Sequence, residues 1–251
     1  MAGGFLGCGT LYFNRITGGT SSGWLKVGNA TKMAIKTNST LKERKSRQCN
    51  SYGQVVDSVS IPEPSDLSID LDTLDRTNLA YAFLGKDFDL NVSSGTVTDE
   101  AITVADLDTS FQVANGNISS VVITDNTAAT TYVLGTDYEI ENASVGLIKV
   151  LSTGSITSGQ AILVDYAYGA VTGSRITGGT DSQIKTAIKL VGKNLVDDSG
   201  VVVDVWIATV TPTSEIDFLA DDFSTISLTG RIELSATKGN GFEVVIDRKT
   251  P

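Results

Sequence analysis

Leu67, Ile69 and Leu71 alternate with Ser68, Asp70 and Asp72. A period of two places an apolar row on one face of a strand and an acidic row on the other. The pattern changes at Asp75, whose carboxylate suits a helix N-cap. Leu79 and Phe83, four apart with Ala82 between them, predict the core-facing side of a short helix, and Gly85 is placed to close it in the left-handed conformation. Strand patterns dominate elsewhere. Leu11–Phe13 starts one. Trp24–Val27 and Lys32–Lys36 flank Gly28-Asn29 as a hairpin or bulged strand, with Met33 and Ile35 on one side and lysines on the other. Val55–Ile61 predicts a further strand, ended by Pro62 and Pro64. In the last third, Ile184–Val191 leads through the turn at 197–200 into Val201–Val210, an apolar run suited to a central strand buried on both faces. Ile226, Leu228, Ile232 and Leu234 alternate within Thr225–Ala236, and Gly239-Asn240-Gly241 turns into Phe242–Ile246. The expected fold is mainly β with one flanking α-helix, whose apolar side has only sheet to pack on.

Three segments depart from this pattern. Residues 1–9 are small and Gly-rich and predict a flexible arm. Residues 37–54 are polar, lack an apolar period and hold the one strongly basic stretch, Lys42, Arg44, Lys45 and Arg47. So long a loop within a compact domain is usually functional or disordered, and this one is expected to be mobile until it orders against an acidic partner, such as another copy of the chain. In residues 88–170, Lys and Arg nearly vanish. Short strands are expected there at Ala101–Val104, Ser110–Val113, Ser119–Thr124, Thr131–Leu134, Tyr138–Glu141, Gly146–Leu151 and Gln160–Tyr168. Their spacing predicts a small inserted β-sandwich, which splits the main domain into 1–87 and 171–251. Arg-Ile-Thr-Gly-Gly-Thr occurs at 15–20 and again at 175–180, but the flanks do not repeat, so it reads as a reused turn.

Composition narrows the chemistry. The 251 residues are 41% hydrophobic and hold 4 prolines. They lack both the run of about 20 apolar residues a membrane helix needs and the basic start of a signal peptide, so the protein is expected to stay where it is made. Cys8 and Cys49 are then expected as free thiols. A net charge of −10 argues against a grip on duplex DNA. The absence of histidine removes the commonest general base and metal ligand. Asp87/Asp89, Asp106/Asp108 and Asp221/Asp222 lack calcium-loop spacing. No phosphate-binding glycine loop or nucleophile elbow occurs. Tyr132, Tyr138, Tyr166 and Tyr168 are sugar-site candidates, though aromatics in strands are more often cross-strand packing. Neither a catalytic site nor a cofactor is expected.

Gly9-Thr-Leu-Tyr-Phe-Asn-Arg15, Gly23-Trp-Leu-Lys-Val-Gly-Asn29, Asn78-Leu-Ala-Tyr-Ala-Phe-Leu-Gly85 and Asp221-Asp-Phe-Ser-Thr-Ile-Ser-Leu-Thr-Gly-Arg-Ile-Glu-Leu234 follow one another in that order. Over residues 7–85 and 175–247 the chain resembles the major tail tube proteins of long-tailed bacteriophages. The resemblance implies a β-sandwich or flattened barrel core with one flanking helix, and an outward-facing Ig-like insertion at 88–170. It implies hexameric rings of the chain itself, stacked into a tube through which DNA passes without tight binding during genome ejection. The implied partners are tape measure, baseplate and terminator proteins. The implied location is the virion tail, assembled in the host cytoplasm. Related alternatives are a baseplate or terminator ring protein, or a secretion-tube protein. A carbohydrate-binding β-sandwich is an alternative of another class.

Overall fold

The computed structural model describes residues 4–246. The chain divides into two compact units, one of Met1–Asp87 with Ile176–Pro251, the other of Phe88–Arg175. In chain order the first unit opens with β1 (Gly7–Thr17), β2 (Thr20–Ser21), β3 (Leu25–Lys26), β4 (Ala30–Lys45), β5 (Val55–Leu71) and α1 (Arg76–Ala82). β6 (Lys86–Val92) leads into the second unit, which holds β7 (Gly95–Thr103), β8 (Ser110–Gln112), β9 (Ile118–Asp125), β10 (Tyr138–Asn142), β11 (Leu147–Val150) and β12 (Ala161–Tyr168). β13 (Val171–Thr177) returns, and β14 (Ile184–Asn194), β15 (Gly200–Pro212), β16 (Ile226–Ile232) and β17 (Phe242–Ile246) complete the first unit. Among the described residues the fold is mainly β with one helix.

The first unit is a nine-stranded sheet in the order β2-β1-β14-β15-β16-β5-β4, with β3 on β1 and β17 on β15. Its inward rows share one core: Leu11 and Phe13 from β1, Leu67, Ile69 and Leu71 from β5, Ile184 and Ile188 from β14, and Ile226 and Leu228 from β16. The strand starting at Gly7 takes in part of the expected flexible arm, because Gly7–Gly9 pair with Gly192–Asn194. A Cβ at Gly9 would lie 2.8 Å from the Val191 carbonyl oxygen, so the close ladder requires glycine there. β15 is central in the sheet, but Val203 and Trp206 are half-exposed rather than buried. β16 ends at Ile232, and Leu234 lies outside it, exposed.

The segment at 23–29 ties two connections together rather than forming a hairpin with β4. Val27 is buried, and its N–H donates to the Leu11 carbonyl at 3.2 Å. Gly28 has φ +79°, and any Cβ there would meet the Thr73 side chain at 2.5 Å. Asn29 then donates to Asp72 Oδ2 at 2.6 Å and to Thr73 Oγ1 at 2.9 Å, which fixes the β3–β4 link against the exit of β5.

Asp75 caps α1 as expected from its side chain, accepting from the Asn78 N–H at 2.7 Å. The face that α1 buries differs from the expected one. Asn78, Tyr81 and Ala82 point inward, while Leu79 is half-buried and Phe83 lies past the last helical residue as the C-cap. The reason is polar. Asn78 Nδ2 donates to the Val27 carbonyl at 2.9 Å and the Thr73 carbonyl at 2.8 Å, satisfying loop carbonyls near the core. Tyr81 meets Phe13 edge-to-face with ring centroids 5.2 Å apart. Rotating α1 to bury Leu79 and Phe83 would break both sets of interactions. The left-handed closing residue is Leu84 at φ 47°, with Gly85 N–H reaching the Ala80 carbonyl at 2.8 Å. Gly85 is needed for a different reason, since a Cβ there would sit 2.0 Å from the Thr177 carbonyl oxygen.

The second unit is a small sandwich. Sheets β10-β11-β8 and β7-β12-β9, all antiparallel, close on one core that includes Ile123, Ile148, Ile162 and Val164. Thr131–Leu134 forms only isolated bridges rather than the expected strand. β6 and β13 pair as a two-stranded ribbon that the sequence pattern did not mark, and the unit boundary falls at Arg175 rather than Ala170. Asp137 holds a loop in this unit, accepting from the Val133 N–H at 2.7 Å and the Ser155 N–H at 2.6 Å. Those donors hold its carboxyl below the usual range.

Candidate functional site

β4 and β5 pair from Ala30↔Leu71 to Lys45↔Val55. β16 supports β5 only between Leu71 (opposite Ile226) and Asp66 (opposite Arg231). Beyond Asp66 the two strands continue alone as a hairpin arm, about 35 Å long at roughly 3.3 Å per residue. This corrects the expected 37–54 loop. Residues 38–45 are strand, and only 46–54 form the turn, closed by Ser46 N–H to the Gln54 carbonyl at 2.8 Å. Pro62 and Pro64 do not end β5, because that stretch has no second neighbour and a missing donor costs nothing on a free edge. Asn38 marks the step from sheet to arm, at a register shift between Lys36 and Asn38. Its side-chain amide donates to the Pro64 carbonyl at 3.1 Å and to Asp66 Oδ2 at 2.8 Å.

Residues directly opposite in an antiparallel pair share a face. Thr40 faces Ile61, Lys42 faces Val59, Arg44 faces Asp57 and Lys45 faces Val55. One side of the arm therefore interleaves Lys42 and Arg44 with Val59 and Ile61, while Lys45 and Val55 pair past the register shift at Arg44/Lys45, and Val55, Val59 and Ile61 are all exposed. Arg47 stands in the turn beside Tyr52 and Cys49, both exposed. Arg44 Nε donates to Asp57 Oδ2 at 2.8 Å. The arm thus brings the four basic residues together, whereas Leu79 and Phe83 lie elsewhere.

A second exposed surface lies in the loop 213–225, between β15 and β16. Phe218, Leu219 and Phe223 are 74%, 92% and 95% exposed. They stand among Glu215, Asp217, Asp221 and Asp222. The loop is held from within: Ser227 N–H donates to Ser214 Oγ at 2.9 Å, and Leu219 N–H to Asp217 Oδ1 at 2.8 Å. Phe83 stacks on Phe218 with centroids 6.1 Å apart. The sequence signal was present, as aromatic residues next to acids without any strand or helix period, but only the exposure makes them a surface.

Several other charged groups are committed internally. Arg15 bonds Asp181 and donates to the Gly85 carbonyl at 2.9 Å, so the arginine of the first Arg-Ile-Thr-Gly-Gly-Thr holds the acid that follows the second. Lys185 donates to Glu233 at 2.8 Å and, with the Thr209 hydroxyl, holds that carboxyl below its ordinary range. Tyr132, Tyr138 and Tyr166 are core residues of the second unit, so they form no open platform for a sugar. Cys8 and Cys49 are free and exposed. Among the described residues no cluster of three or more Cys, Asp or Glu is placed to hold a metal ion, and no helix is long and apolar enough to cross a membrane.

No curated protein matches the chain. Residues 4–244 match the family model described as Protein of unknown function UCP028589, and the chain belongs to that family.

Proposed function

We propose that the chain is a self-assembling structural subunit that forms stacked hexameric rings, as the major tail tube proteins of long-tailed bacteriophages do. The observation that carries this is the hairpin arm. A two-stranded ribbon is marginal alone in water, and this one exposes Leu41, Val55, Val56, Val59 and Ile61 as well as its basic residues. Such a feature is completed by a neighbour. The nine-stranded sheet with one packed helix agrees with the core that the tail tube resemblance implies. A net charge of −10 suits a conduit wall that lets DNA pass without gripping it. On this reading the protein resides in the virion tail, with tape measure, baseplate and terminator proteins as its other partners. The test is negative-stain microscopy and analytical ultracentrifugation of the purified chain, titrated in protein and salt. Rings or tubes that weaken as salt rises are expected. A protein that remains monomeric to millimolar concentration in low salt contradicts the proposal.

A further inference from the structure

We infer that the 213–225 loop of one copy receives the hairpin arm of a second copy, an assignment that rests on the self-assembly reading. Strand register supplies the first argument. Leu71 lies opposite Ile226 and Asp66 opposite Arg231, so the arm leaves β5 past its Asp66 end. The 213–225 loop enters β16 at Ile226, and Pro212 of β15 lies opposite Leu228, which puts that loop at the Leu71 end. Arm and loop thus project from opposite ends of the same strands. An arm directed away from its own loop meets the loop of another molecule, in a head-to-tail contact between unlike surfaces. Such heterologous contacts generate closed rings or open stacks rather than two-fold dimers.

Chemistry supplies the second argument. Residues 38–65 hold Lys42, Arg44, Lys45 and Arg47 against Glu43, Asp57 and Glu63, a net of +1 from four positive and three negative side chains. Residues 213–225 hold Glu215, Asp217, Asp221 and Asp222 with no Lys or Arg, a net of −4. Each charged set is interleaved with apolar side chains exposed to solvent: Val55, Val59 and Ile61 on the arm, Phe218, Leu219 and Phe223 on the loop. Joining them buries apolar area on both partners while pairing opposite charges, the combination that gives both affinity and register at an interface.

Cys49 stands in the turn of the arm and provides a native probe. Cys8→Ser leaves it the only thiol, and Ala220→Cys adds a second in the exposed loop. Mild oxidation of the assembled double variant should give a covalent ladder beyond the dimer, with the 49–220 disulfide identified by peptide mass spectrometry. Asp221→Lys with Asp222→Lys should keep the wild-type melting curve and raise the concentration needed for assembly at least tenfold. Combining that pair with Lys42, Arg44, Lys45 and Arg47 all changed to Glu should restore assembly. If wild type assembles, yet only 49–49 links form and the Asp221→Lys, Asp222→Lys protein assembles normally, the loop is not the receptor and the self-assembly reading stands. If wild type never associates, both are overturned.

Discussion

The β4–β5 hairpin is one continuous ladder with two unlike halves. At its base, Leu67, Ile69 and Leu71 are buried and Met33 and Ile35 pack against the same core, because β16 extends the sheet and the other core rows close over it. In the arm, past the register shift at Asn38, Val55, Val59 and Ile61 lie on the same strand and are exposed. Backbone pairing is present in both halves, so hydrogen bonding does not distinguish them. The difference is a third strand and an opposing layer. The base draws its stability from burial within the chain, and the arm has comparable apolar side chains with nothing yet to bury them against.

The largest expected effect separates the halves directly. Ile69→Ala should destabilise the first unit by about 2–5 kcal/mol through lost burial and a residual cavity, while Ile61→Ala in the arm should change the monomer by no more than about 0.5 kcal/mol. Both tryptophans, Trp24 and Trp206, belong to the first unit, so fluorescence in a urea titration reads this contrast. Equal losses at the two positions would mean that the arm is packed within the monomer. Asn38→Ala probes the step between halves. Losing its bonds to Pro64 and Asp66 should cost about 0.5–1.5 kcal/mol and speed amide exchange in the arm more than in the base. Changing Lys42, Arg44, Lys45 and Arg47 all to Glu should leave monomer melting within about 0.5 kcal/mol of wild type, yet stop assembly.

Acid sensitivity should belong to the base side. Lys185 and Thr209 hold the Glu233 carboxyl below its ordinary value, so its folded pKa is depressed. Its stabilising contribution is complete above the ordinary carboxylate range and is lost as pH falls through the lower folded value. Stability of the first unit should therefore decline from about pH 5 downward, and Glu233→Gln should flatten that decline. An unchanged slope would show that the Lys185–Glu233 pair contributes nothing to folding.

Elements with one wet and one dry face were legible in the sequence, as at Leu67–Leu71, Ile184–Val191, Ile226–Ile232 and most of the second unit. The arm was legible only in its second strand, at Val55–Ile61; its first was not, because a ribbon wet on both faces has no reason to alternate, and Thr37–Gln54 therefore looked like a loop. Pro62 and Pro64 misled because a proline's cost depends on whether its edge is paired, which composition does not tell. Leu79 and Phe83 had the right helical spacing, but Asn78 answers the carbonyls of Val27 and Thr73, and that long-range demand set the rotation of α1. The apolar loop at 213–225 was readable as residues and not as a surface, since exposure is a property of the fold.

Hydrogen exchange across the hairpin, in dilute monomer and in assembled protein, bears most directly on the claim that the arm is completed by another copy. The ladder-bonded amides of residues 32–36 and 66–71 should exchange slowly in both states. Those of residues 38–45 and 55–63 should exchange fast in the monomer, as weakly supported segments do, and become protected on assembly. An arm already protected in the monomer, or one still exchanging fast in the assembly, would contradict the account.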